Sequence, residues 1–153
     1  MNKKILLSPL IASSLLLSTQ ASAADTTGTA NFNLVYPITV SESVPLELGD
    51  IDISSDGSCE FTFDATQSGS NCLATGATQA AGSFDITGKD GGVTVTLSGA
   101  DTSVAGVTFT PTASTVNISG NVATMTVGGK VDVVASSASE GTHALSYTVN
   151  VVY

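Results

Sequence analysis

Two cysteines, one histidine and three closely spaced aspartates are the residues of this 153-residue chain whose types could support specific chemistry. Cys59 and Cys72 do not form a C-x-x-C redox motif, and His143 lies too far off in sequence to suggest a shared metal site. A disulfide closing this short loop is the expectation, and it would stabilise the fold by about 3 kcal/mol in the chain-entropy model. Asp50, Asp52 and Asp56 offer the oxygen ligands that calcium prefers, but their spacing does not match an EF-hand loop, so a solvated turn is expected there. His143 has no nucleophile and orienting acid that can be assigned to it, and a structural or surface role is expected. No serine sits in G-x-S-x-G or S-x-x-K. Gly88-Lys89-Asp90-Gly91-Gly92 reads as a hairpin turn and not as a phosphate loop. Asn117-Ile118-Ser119 fits a glycosylation acceptor by chance spacing. The residues therefore predict no enzyme, no cofactor and no bound metal.

The elements around these residues begin with an export signal. Met1-Asn2-Lys3-Lys4 is a positive head, Ile5 to Leu17 is mostly apolar, and Ala21-Ser22-Ala23 is a small-residue cleavage site. The apolar run is shorter than the roughly 20 residues a bilayer span needs. The expected organisation is a signal peptide over 1–23, an N-terminal extension over 24–35 and a folded domain over 36–153. Export reaches an oxidising compartment, which favours the Cys59–Cys72 disulfide. Losing Lys3 and Lys4 shifts the formal net charge from −9 to −11 and leaves Lys89 and Lys130 as the bases. Such a surface repels nucleic acid and anionic membranes, and no membrane insertion is expected after processing.

Alternation with period two runs through the mature chain, and helical periodicity is nearly absent. Gly28, Ala30, Phe32, Leu34, Tyr36, Ile38 and Val40 share one parity, which predicts a long half-buried strand or two in tandem, with a break or edge at Pro37. Ser41 to Val44 reads as a turn and Pro45 to Ile51 as a short strand. Further strands are expected at Cys59–Phe63, Ser83–Thr87, Val93–Leu97, Val104–Thr110 and Val127–Val134, and Asn117 to Thr126 reads as a hairpin, with Val116 and Ile118 on one arm, a turn at Ser119-Gly120-Asn121, and Val122 and Met125 on the other. The 83–87 and 93–97 strands are expected to pair as a hairpin. The last strand, Thr142 to Tyr153, places Leu145, Tyr147, Val149 and Val151 on one face. Eight to ten short strands with Gly-rich turns predict an antiparallel β-sandwich.

Several phrases carry a resemblance. These are Thr27-Gly28-Thr29-Ala30-Asn31-Phe32-Asn33-Leu34, Pro45-Leu46-Glu47-Leu48-Gly49-Asp50-Ile51, Ala80-Ala81-Gly82-Ser83-Phe84-Asp85-Ile86-Thr87-Gly88, Val127-Gly128-Gly129-Lys130-Val131 and Tyr147 to Tyr153. Together they resemble the bacterial exported domain of unknown function family 4402, over nearly the whole mature chain. More loosely the chain is similar to archaic chaperone–usher pilin subunits, although Cys59 lies further past the N-terminal segment than in many pilins. That resemblance implies an immunoglobulin-like sandwich lacking one strand, completed by a donor strand from a neighbour. It implies a surface fibre serving adhesion or biofilm, with copies of the chain, a periplasmic chaperone and an outer-membrane usher as partners. Gly28, Ala30, Phe32 and Leu34 would be the donor face, and Leu145, Tyr147, Val149 and Val151 the core strand beside it. The alternative expectation is a self-complemented secreted sandwich acting as a binding or matrix module.

Overall fold

A computed structural model describes residues 25–153, so the expected signal peptide lies outside the described residues. Among them there is no helix, and the chain forms an antiparallel β-sandwich. Leu34–Tyr153 is one compact unit.

One strand organises the larger sheet. β9 (Val122–Val133) carries the alternating residues of 122–133 as a single run, where the sequence suggested a hairpin arm and a separate strand. Its first half pairs with β4 (Gly82–Thr87), and β1 (Thr39–Val44) adds to the far side of β4. Its second half pairs on that same side with β2 (Gly57–Phe61), to which the short β3 (Gln67–Ser68) adds. The opposite edge of β9 pairs with β7 (Val107–Ala113). Gly128 and Gly129 mark the handover from β4 to β2. Side chains there would collide with the Phe61 carbonyl and the Phe109 ring, so only glycine lets the strands approach this closely.

The smaller sheet has two strands, β6 (Thr94–Leu97) and β10 (Val149–Val152), in the register Val95↔Val151. β5 (Gly91–Gly92) leads into β6 and pairs with β8 (Asn117–Ile118), at the end of the β7 side. The expected hairpin of 83–87 with 93–97 does not form. Gly91, at φ +140°, redirects the chain after β4, and β6 joins β10 in the other layer instead.

Two clusters fill the interior. Ile86, Val116, Ile118, Met125, Val127 and Val151 form one, and Phe109, Val131 and Val133 the other. Leu46 and Tyr147 pack against both and join them. Each fully buried aliphatic side chain of this size contributes about 1.5–3 kcal/mol. On that scale the disulfide matters as much as one or two core residues.

Other expectations fail for identifiable reasons. The predicted N-terminal strand is absent before Thr39: residues 25–38 join no ladder, and pairing begins at Thr39↔Thr87, after Pro37. Ser41 to Val44, expected as a turn, completes β1 against β4. Residues 45–51 make only the isolated bridges Glu47↔Ala80 and Ile51↔Cys72, because a register shift between Glu42 and Val44 and the left-handed Gly49 interrupt the run.

The Cys59–Cys72 disulfide is present, with its Cα atoms 4.8 Å apart. It fastens loop 69–81 to β2. Beside it Asn71 is buried, and its Nδ2 donates to Asp52 O at 2.7 Å and to Ser55 O at 2.8 Å. The Ser70 hydroxyl donates to Asn71 Oδ1 at 2.7 Å. The buried side chain thus substitutes for a strand in giving these two carbonyls a donor. Replacing both cysteines by alanine is expected to lower stability by about 3 kcal/mol in denaturant titration. Asn71→Ala is expected to cost about 2 kcal/mol or more, because two carbonyls lose their donor. The two changes act on one loop, so their effects should not add.

Candidate functional site

The residues expected to act together fall into two groups, a segment and a strand edge, neither of which joins a ladder with the other described residues. Phe32 is 81% exposed and Leu34 86%, and Gly28 and Ala30 are exposed as well. Val35 and Tyr36 continue the exposed apolar run. No charged residue occurs from Thr26 to Ser41. Exposed apolar residues in sequence at such a density are unusual for a surface that stays in water.

The edge belongs to β10. Ser98 N donates to Thr148 O at 2.9 Å, so Thr148, Asn150 and Val152 direct their backbone groups toward β6. By alternation Tyr147, Val149 and Val151 direct theirs the other way, where no strand pairs among the described residues. Their side chains face inward: Val151 is buried, and Leu145, Tyr147 and Val149 are half-buried. Ile38, just before β1, and Val40 of β1 are likewise only half-buried against the same cluster.

Tyr147 sits at the junction. Its ring stands edge-on to Phe84, 6.1 Å between centroids, and tilted to Phe109 at 5.9 Å. Its hydroxyl is buried and makes no hydrogen bond among the described residues. Burial raises the Tyr147 pKa, and the negative charge of Glu42 adds to the shift. At the end of the strand, Tyr153 Oη accepts from Lys89 N at 2.6 Å.

The expected strand over 142–153 forms a ladder only at 149–152. Upstream, side chains take the place of a partner strand. Asp101 Oδ2 accepts from Ser146 N at 2.7 Å and from Ser146 Oγ at 3.2 Å. Asp101 Oδ1 accepts from Ser103 N at 2.8 Å, and Ser98 Oγ accepts from Thr148 N at 2.8 Å. Asp101 is also bridged to Phe109 by two backbone hydrogen bonds. It therefore ties the approach to β10 to β7. Sequence reading missed Asp101 and Asn71; the short spacing from Asp101 to Ser103 was the one available signal, and it reads equally as an ordinary turn.

The remaining polar candidates do not converge. Asp50 Oδ2 accepts from Ala77 N at 3.1 Å, Asp52 from Ser54 N at 2.8 Å, and Asp56 Oδ1 from Ala135 N at 2.7 Å. Each carboxylate closes a different turn. Ser54 lowers the Asp52 pKa, chiefly through its backbone N–H. Among the described residues no three His, Cys, Asp or Glu side chains are grouped to hold a metal. His143 is exposed, and its Nε2 donates to Ser139 O at 2.9 Å.

Comparison with known protein families, curated proteins and solved structures finds no match for this chain.

The Asp101 carboxyl is held at a pKa of about 2, below its ordinary 3.8, first by the Ser146 N–H and then by the Ser103 N–H. A pKa depressed on folding stabilises the native state above the ordinary value, and that contribution disappears as pH falls through the folded value. The tie should therefore persist through neutral and mildly acidic pH and loosen near pH 2. An NMR titration should place the Asp101 midpoint near 2, and Asp101→Ala should speed exchange of the Ser146 amide while the β9 amides stay protected.

Proposed function

We propose that the protein is a structural subunit of a pilus-like bacterial surface fibre, in which residues 28–34 of one copy add as a strand to the free edge of β10 in the next. The observation that carries this reading is one of unmatched pairing. A single chain holds an uncharged, alternating, exposed segment and an open strand edge over a half-covered apolar core. Each would satisfy the other by β-strand addition.

The strand order supports the reading. β1-β4-β9-β7 faces β6-β10. This corresponds to strands A, B, E and D facing C and F in an immunoglobulin constant-type sandwich, whose seventh strand pairs with F. The unfilled position lies along β10. Phe32 and Leu34, inserted there, would cover Val149, Tyr147, Ile38 and Val40. The net charge of −11 expected after processing suits a fibre shaft in water. Before assembly the open edge and apolar stripe are aggregation hazards, which is the role the resemblance gives to a periplasmic chaperone, with an outer-membrane usher for export.

Deleting Gly28–Leu34 leaves the expected cleavage site and β1 intact. It is expected to abolish fibres on expressing cells in electron micrographs while the subunit still folds. Fibres that persist would refute the reading. A purified full-length chain that stays monomeric, with the Phe32 amide protected from exchange, would instead assign the segment to its own sandwich and make the protein a self-complemented module.

A further inference from the structure

The small sheet has a second open edge, on β6, and its geometry differs from that of β10. The even residues of β6 face β10, so Val93, Val95 and Leu97 direct their N–H and C=O groups outward, toward β7. β7 does not meet them. Asp101 exchanges both backbone hydrogen bonds with Phe109, so Pro111 and Ala113 also point toward β6, but Pro111 has no N–H to offer. Between the two strands lies an open cavity of about 480 Å³, lined by Val93, Val95, Leu97, Pro111, Ala113 and Val116 among others. The β5–β8 ladder closes one end and the Asp101↔Phe109 bridge the other.

Natural sheet edges carry lysines, inward charges or bulges that stop them pairing with other molecules. Gly91 to Ala100 carries no charge. It alternates valine, threonine and leucine, and the outward Thr94 and Thr96 are exposed. The sequence also reads nearly the same in both directions about Val95. Thr94 mirrors Thr96 and Val93 mirrors Leu97, over the five residues between the β5–β8 ladder and Ser98. An isologous contact requires a surface complementary to itself, and antiparallel pairing of identical strands requires this kind of mirror symmetry. The backbone polarity agrees: Val95, whose groups point outward, can exchange two hydrogen bonds with Val95 of a second copy.

We propose that β6 is a second association edge, at which two copies of this chain pair antiparallel about a two-fold axis through Val95. Val93 then opposes Leu97 of the other copy, and the joined sheet reads β10-β6-β6-β10. The contact uses the edge of the small sheet opposite to that engaged in fibre growth. In a fibre it would join neighbouring shafts side by side, and it stands whether or not residues 28–34 polymerise.

The test uses the full-length secreted chain carrying Phe32→Asp, which silences end-to-end growth. Sedimentation should show a reversible dimer. Thr94→Lys with Thr96→Lys, both at exposed positions, should weaken it about tenfold or more, since like charges oppose each other across the two-fold axis. The corresponding Thr94→Glu, Thr96→Glu chain should also be monomeric, and mixing the two should restore a mixed dimer. Val95→Cys should trap the wild-type contact as a disulfide-linked dimer, and circular dichroism melts should confirm that each variant folds. A chain that stays monomeric at high concentration would overturn the proposal, as would a lysine variant that dimerises as well as its parent. With Phe32 restored, loss of fibre bundles while single fibres remain would place the contact between shafts; loss of single fibres in the lysine variant would refute the division of labour between the two edges.

Discussion

The backbone ladder of Val122–Val133 is the interaction on which the rest of the fold depends. Three strands hydrogen-bond to it directly, and β1 and β3 reach it through one of them. Its inward residues Met125, Val127, Val131 and Val133 supply the floor of both core clusters. A strand this long would twist away from a short neighbour. Gly128 and Gly129 let it serve β4 along one half and β2 along the other without breaking, because the backbones close in where side chains would stand. A chain with few aromatic residues and little charge thus gains its order from hydrogen-bond pairing more than from bulk burial.

The same dependence makes the sandwich unequal. The large sheet finds partners for β4, β9 and β2 on both sides, whereas the small sheet has two strands and two free edges. Where no strand is supplied, side chains satisfy the backbone. Asp101 receives Ser146 N, Ser98 Oγ receives Thr148 N, and Asn71 caps two carbonyls beside the disulfide. These substitutions work for isolated groups. They do not cover apolar surface, so the half-buried Val149, Ile38 and Val40 keep the character of an interior face.

Period-two alternation made the all-β class and the strands at 57–61, 82–87 and 94–97 legible, because side-chain parity is a local property. The disulfide was legible from compartment and spacing. Pairing was not. The hairpin expected between 83–87 and 93–97 depended on the turn, and Gly91 turned the chain into the other layer. The 28–34 stripe has as regular a pattern as β6, yet it joins no ladder, since alternation describes what a strand can bury and not whether an edge exists to receive it. The self-facing symmetry of Val93 to Leu97 was present in the sequence, but it acquires meaning only once β7 fails to pair with that edge. Asn71 carried no pattern, and Asp101 only the short spacing to Ser103: the bonds by which they tie distant segments, Asn71 to Asp52 and Ser55 and Asp101 to Ser146, span long sequence separations through geometry that only the folded loops create.

Charge placement follows this division between paired and unpaired surface. Nine of the 13 carboxylates fall between Glu42 and Asp90, on β1, β2, β4 and the disulfide-bound loops. Residues 26–38, the β6 edge and the side chains from Gly141 to Tyr153 carry no carboxylate or lysine. A protein made soluble by uniform repulsion would have distributed its acids over all faces and blocked its edges. Here most of the acids lie on the surface that has its strands, and the strands of the small sheet themselves are left neutral. Neutral strand edges carry no like charge to oppose pairing, so the electrostatic barrier that ordinarily blocks an edge is missing from the two strands of the small sheet.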